Sequence, residues 1–221
     1  MLDLRRDGSV FILTMQSGEN RFNRPFLDAL NAALDEVERS SGPAALVTTG
    51  EEKFYSNGLD LAWLSGDGSR EGGAFISDVI KFLGRVMAFP IPTVAAINGH
   101  AFAAGGMLAL AHDFHVMRSD RGFFCLPEVD IKLPLAPGML ALIKARLPLA
   151  TFHHTILTGG RVGGQDAQQR GIVDEAVASA EVLPRALARA AALAEKDRAI
   201  YGVLKRAMYA DTLRILERGE L

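Results

Sequence analysis

Cysteine is almost absent from this chain: Cys125 stands alone among 221 residues. One cysteine excludes an intramolecular disulfide and suits a reducing compartment. No excess of charge is present either, with 24 Lys and Arg against 26 Asp and Glu and a net charge of −2. Nothing in that balance advertises nucleic acid or an anionic membrane. The five histidines show no metal-ligand spacing; His153 and His154 are adjacent and point apart on a helix or on a strand. The sequence has no apolar run of about 18 residues, and Met1–Arg6 lacks the apolar core of a signal peptide. Arg218–Leu221 matches no retention or peroxisomal address. Neither G-x-G-x-x-G nor G-x-x-x-x-G-K-[ST] occurs, which removes the common dinucleotide and phosphate loops. A soluble, cytoplasmic protein is expected, with no metal and with neither membrane nor nucleic acid as partner.

What is there is an ordinary globular composition, 49% hydrophobic and 23% charged, long enough for one domain or one domain with an appendage. Asp7–Gly8, flanked by Leu2–Arg6 and Val10–Met15, predicts a hairpin. Phe26, Leu27, Leu30, Leu34 and Val37 recur at helical spacing after Asn23, a plausible N-cap, with Pro25 in the first turn. Ala44–Thr49 is too apolar for a one-sided sheet and is placed centrally, covered on both faces. Phe54–Leu61 follows as a small, turn-prone stretch. The glycine-rich segment Gly66–Gly73 is expected to be flexible. Phe75, Ile76, Val79, Ile80, Leu83, Val86 and Met87 form an amphipathic helix that Pro90 and Pro92 stop before the strand at Thr93. The alternation of strand and helix predicts an α/β fold with parallel crossovers. Short strands at Phe114–Val116 and Phe123–Cys125 come next, and after Gly138 the residues read as helical, ending in a tail from Tyr201 to Leu216.

The chain is organised around Asn98–Met107. Thr93–Ile97 reads as a buried strand, Leu108–Ala111 as a helix, and between them Gly99–Met107 holds three glycines and three alanines. So few side chains leave the backbone open to approach. The first N–H groups of a helix lack partners and carry the positive end of its dipole, so such a turn suits an oxygen that becomes anionic during a reaction. Small residues equally permit close helix–strand packing with no ligand, and this stretch alone does not decide between the two.

Two glycine turns after strands, Phe54–Leu61 and Asn98–Gly106, followed by Pro127–Glu128, resemble the crotonase (enoyl-CoA hydratase/isomerase) family. Arg161–Val162 and Ala167–Asp174, where a small-residue helix leads to a Gly171–Ile172–Val173–Asp174 strand, resemble the family's later signature. Ser56–Trp63, His112–Phe114, Met117–Gly122 and Glu128–Ile131 resemble its Δ3-Δ2-enoyl-CoA isomerase branch. The resemblance covers nearly the whole chain. It implies the crotonase spiral of ββα units over residues 1–160 and a short helical C-terminal region over 161–221 that serves as lid and trimerisation element.

The resemblance also implies roles. Leu59 and Ala104 would each supply a backbone N–H to the thioester oxygen of an acyl-CoA, which is substrate and not cofactor. Only the N–H is used, so the side chains are free to differ. Loss of one such donor costs roughly 100- to 1000-fold in rate. Hydratases of the family use two glutamates; the position of one is Met107 here, and the other is Glu128. One carboxylate suffices for an isomerase, and the apolar neighbours Phe124, Leu126, Val129 and Ile131 would raise its pKa. Asp130 could share the role or simply bond loop N–H groups. Asp60 reads as a helix cap, His100 as structural, and Trp63 as either a packing residue or a wall of the acyl pocket. Arg21, Phe22, Asn57, Leu61 and Gly105 complete the implied CoA and substrate contacts, with Arg21 and Lys53 as candidate phosphate partners. The expected assembly is a homotrimer or a hexamer of two trimers. Three readings remain: a double-bond isomerase, a hydratase or other acyl-CoA chemistry run through the same enolate, and a non-catalytic acyl-CoA-binding subunit.

Overall fold

The computed structural model describes residues 1–221. Asp7 and Gly8 reverse β1 (Leu2–Asp7) onto β2 (Val10–Met15) in antiparallel register from Leu2 opposite Met15 to Asp7 opposite Val10. Helix α1 (Arg24–Arg39) is capped by Asn23, whose side chain accepts the Phe26 N–H at 3.1 Å. Its stripe of Phe26, Leu27, Leu30, Leu34 and Val37 is buried. β3 (Ala45–Gly50) is buried along its whole length, as expected of a covered central strand, and the hydroxyls of its Thr48 and Thr49 are hydrogen-bonded. There follow β4 (Phe54–Ser56), α2 (Leu61–Ser65), α3 (Gly72–Met87), β5 (Thr93–Ile97), β6 (His100–Phe102), α4 (Ala104–Ala111), β7 (Phe114–Arg118) and β8 (Phe124–Cys125). The remainder is α5 (Pro137–Arg146), α6 (Leu149–Thr158), α7 (Gly164–Gln169), β9 (Glu175–Val177), α8 (Val182–Leu193), α9 (Arg198–Met208) and α10 (Ala210–Arg218).

The strands form two sheets. Six run in the order β1-β2-β3-β5-β7-β9, parallel throughout after the opening hairpin. Three short strands, β4-β6-β8, form a second parallel sheet. The larger core lies between the main sheet and α1, α3, α4, α5 and α10; a smaller one lies under α8, whose Val182, Ala186 and Ala190 meet Val47, Val94, Ala96 and Val116.

Several local expectations are corrected. The turn-prone stretches at 54–61 and 98–107 each begin with a strand, because three residues show no period and are fixed only by pairing with each other. Gly66–Glu71 is a series of turns wrapped on Trp63, and Gly72 and Gly73 open α3. The Gly68 N–H donates to the Trp63 carbonyl at 2.8 Å, and the indole lies where a β-carbon on residue 68 would be. The strand that the resemblance places at Gly171–Asp174 lies instead at β9, which joins the main sheet beside β7; Gly171–Asp174 is the turn that precedes it. The tail is two helices meeting at Tyr209. Its apolar residues divide: Leu213 and Leu216 are buried against the chain's own core. Ile200, Val203, Leu204 and Met208 on α9 remain exposed. No helix is long and apolar enough to cross a membrane.

Candidate active site

Because β4, β6 and β8 are parallel, their C-terminal ends point the same way and release three loops side by side. Ligands of parallel sheets bind where such strand ends open. Here the three loops surround a cavity of about 720 Å³.

The first loop is Asn57–Asp60. Gly58 has φ +78°, and Leu59 is bridged to Phe22: the Phe22 N–H donates to the Gly58 carbonyl at 2.8 Å, and the Asp60 N–H donates to the Phe22 carbonyl at 2.9 Å. In such a bridge the middle residue turns its own N–H away from the partner strand. The Leu59 N–H accordingly has no acceptor within the protein, and Leu59 lines the cavity. The second loop is Ala103, with φ 49° and ψ −124°, a conformation that a residue with a β-carbon adopts only under strain. Its N–H is held by the Cys125 carbonyl at 2.9 Å. That corner starts α4 at Ala104, whose N–H, like those of all helix starts, has no helical acceptor, and it finds no other in the protein.

The two turns touch. A β-carbon on residue 58 would lie 2.9 Å from that of Ala103 and 3.2 Å from the Ala104 nitrogen. One on residue 105 would lie 2.2 Å from the Ser56 carbonyl oxygen. The small residues therefore do both jobs considered from the sequence: they pack helix against strand, and by doing so they hold two unbonded N–H groups on one cavity wall.

The third loop brings Glu128, the only side-chain carboxylate on the cavity wall. Its Oε2 is shielded from solvent and has no hydrogen-bond partner. Burial pushes the carboxyl up to about 7, against a smaller lowering by its own backbone N–H. Met107, one turn into α4, is buried and also lines the cavity.

Arg21, Asn57 and Leu61 line the cavity as well. Glu19, which sequence reasoning passed over within a polar loop, fixes the first two: Arg21 Nε donates to Glu19 at 2.6 Å, and Asn57 Nδ2 donates to it at 2.7 Å. The Asn57 bond, then that from Arg21, hold the Glu19 carboxyl below its ordinary range. Phe22 is fully buried and reaches the site only through its backbone bridge to Leu59. Gly105 packs behind the wall, against β4.

Other sequence candidates lie outside the cavity. Trp63 packs edge-on against Phe75 at 4.8 Å, the packing alternative considered for it. Asp130 is exposed and lies against Gly159. Lys53 sits over the Phe54 ring at 5.3 Å. His100 lies among Phe54, Phe102 and Phe123; burial first, then the charges of Lys53, Arg161 and Arg121, lower its pKa. Asp60 caps α2, accepting the Trp63 N–H at 3.0 Å. Ile76, Leu135, Met139 and Leu221 line the cavity although nothing in the sequence singled them out. They come from separate elements that only the fold joins.

A family model described as enoyl-CoA hydratase/isomerase matches residues 5–219. This chain belongs to the enoyl-CoA hydratase/isomerase family. Among its relatives in that family is the peroxisomal enoyl-CoA delta isomerase 2 of Arabidopsis thaliana, 34% identical over 228 residues that cover 98% of this chain and 95% of that one. Carnitinyl-CoA dehydratase of Escherichia coli K12 is 32% identical over 195 residues, covering 84% of this chain and 71% of the relative. Of solved structures, the apo enoyl-CoA isomerase of Mycobacterium tuberculosis superposes with a TM-score of 0.91 at 26% identity, covering 99% of this chain and 95% of that one. Human mitochondrial delta3-delta2-enoyl-CoA isomerase shares the fold, with a TM-score of 0.91 at 21% identity over 96% of this chain and 84% of its own. The α/β architecture expected from the sequence is thus the fold of this family.

Proposed function

We propose that this member of the family is a Δ3-Δ2-enoyl-CoA isomerase. The observation that carries the reading is one carboxylate, Glu128, raised to about 7 in a cavity whose wall bears two unbonded N–H groups. In this reading the thioester oxygen of a 3-enoyl-CoA accepts from the Leu59 and Ala104 N–H groups. Glu128 takes a proton from C2, the electrons pass into a dienolate, and its negative oxygen is held by the two donors. Glu128 then returns the proton to C4, leaving the double bond between C2 and C3. A pKa near 7 suits a group that must be base and acid in turn. The isomerase relatives from Arabidopsis thaliana support the same class of reaction. Hydration would need a second carboxylate to activate water, and Met107 stands where the family resemblance places it. Arg21 and Asn57 would flank the CoA arm at the cavity mouth. No cofactor is required by this mechanism.

The test is product identification with 3-hexenoyl-CoA and 2-hexenoyl-CoA. Rapid conversion of the first to 2-hexenoyl-CoA with negligible hydration of the second is expected. Glu128→Gln is expected to lower kcat by at least about 1000-fold while acyl-CoA still binds, because the only base is removed and its shape retained. A variant within tenfold of wild type places the base elsewhere.

We propose further that copies of this chain associate, as a trimer or a pair of trimers. The support is the exposed apolar face of α9, where Ile200, Val203, Leu204 and Met208 are each more than half exposed.

A further inference from the structure

Helix α10 seats in a groove between α3 and α5, and glycine makes the groove deep. A β-carbon on residue 84 of α3 would lie 3.0 Å from Leu216 Cβ, and one on residue 138 of α5 would lie 3.3 Å from Leu216 Cδ2. With Leu213 and Leu216 buried there, the helix axis is fixed. Gly219 ends it in the left-handed region, φ +62°, with its N–H donated to the Leu216 carbonyl at 3.1 Å. That reversal brings the backbone onto Ser77 and Lys81, and the last two residues run along α3 towards its start. There Leu221 Cδ1 lies 3.5 Å from the β-position of Gly73, and Leu221 lines the cavity.

Leu221 differs from its neighbours on that wall. Leu61, Ile76 and Leu135 belong to or adjoin helices, whereas Leu221 sits two residues past a helix cap. It is 65% exposed, while its inner side faces the cavity. An apolar side chain so placed gains contact area when an alkyl chain occupies the cavity beside it. The wall formed by Leu61, Ile76, Leu135, Met139 and Leu221 is apolar, while the N–H donors and Glu128 lie on the strand-end loops. We infer that Leu221 is a specificity-determining residue that sets how long an acyl chain the cavity accepts, as a wall carried by a short strap rather than by the core. This rests on the proposed use of the cavity for acyl-CoA, but not on the chemistry at Glu128.

Saturated acyl-CoAs from butyryl to dodecanoyl, which have no double bond to move, separate the two. Their binding to the full chain and to Leu221→Ala and Leu221→Trp is measured by titration calorimetry. Affinity in the wild type is expected to climb with chain length. Leu221→Ala should weaken the longer ligands by about fivefold to tenfold, the loss of one or two buried methylenes, and change butyryl-CoA by less than about twofold. Leu221→Trp should make the climb stop at a shorter chain than in the wild type. Length dependence identical in all three proteins overturns the inference and leaves the proposed function standing. Failure of the wild type to bind any acyl-CoA overturns both.

Discussion

At the scale of single residues, Glu128 titrates in an accessible range, and two observables should move in opposite senses. In its proposed role as base it must be ionised, so kcat/KM for isomerisation is expected to rise with pH through about 7 and level off above. For stability, the folded state binds this proton more tightly than the unfolded chain, in which the carboxyl returns to its ordinary value of 4.5. A raised carboxyl therefore favours folding when protonated, and the preference is lost as pH rises from 4.5 to about 7. The difference corresponds to about 3 kcal/mol as an upper figure. Glu128→Gln, which is neutral at every pH, is accordingly expected to melt higher than the wild type at pH 8, the gap closing towards pH 5. Melting curves of both proteins across that range check it. A gap that widens on acidification means that Glu128 is held as a carboxylate.

Among elements, α4 matters most, because its first N–H is one of the two proposed donors and its first turn lies against β4. The close contact at Gly105 is backbone against backbone, so no side-chain rotation can relieve an added methyl 2.2 Å from the Ser56 oxygen. Gly105→Ala should push α4 from β4 and spread the Leu59 and Ala104 donors apart. A misplacement of about 1 Å at a reacting group can cost about 100-fold in rate, and a loss of that order is expected in kcat, with a lower melting temperature. Normal kcat in a folded Gly105→Ala protein would show that donor spacing does not matter. The other end of α4 is tied down independently: Arg146 donates to the carbonyls of Leu110, His112 and Asp113 and to the Tyr209 hydroxyl. A cation at that end meets the negative pole of the helix, so α4 is anchored to α5 and to the junction of the two tail helices.

Over the whole molecule, the tail serves two surfaces. Helix α10 completes the subunit's own core, and α9 leaves an apolar face in solvent. Light scattering after size exclusion should give about three or six times the 23.8 kDa chain mass. Leu204→Asp, placing a charge on the α9 face, should release monomers without unfolding them, since Leu204 is 56% exposed within the subunit. A wild type that elutes as a monomer at micromolar concentration removes the proposal.

The sequence by itself determined the local structure and the chemistry available. Asn23 with Pro25 set the start of α1, Asp60 that of α2, and Asp7–Gly8 the hairpin, since each acts within a few residues of itself. The apolar run at 44–49 required a covered central strand. The small residues around Gly105, with the family resemblance, pointed to the two N–H groups that the fold leaves without acceptors, and the apolar neighbours of Glu128 gave the direction of its pKa. Tertiary structure decided what depends on contacts between distant segments. The three short strands of the second sheet have no period to read and exist because they pair with one another. Trp63 turned from the cavity because Gly68 lets the turns of 66–71 close over its ring. Asp130, two residues from Glu128, faces solvent because the loop curls through hydrogen bonds to the Pro127 carbonyl. Leu221 lines the same cavity as Leu61 and Ile76 only because two glycines let α10 sink between α3 and α5. Residue type and local spacing fix turns, caps and periodic faces; which distant side chains share one cavity is fixed by packing, which no short window of sequence contains.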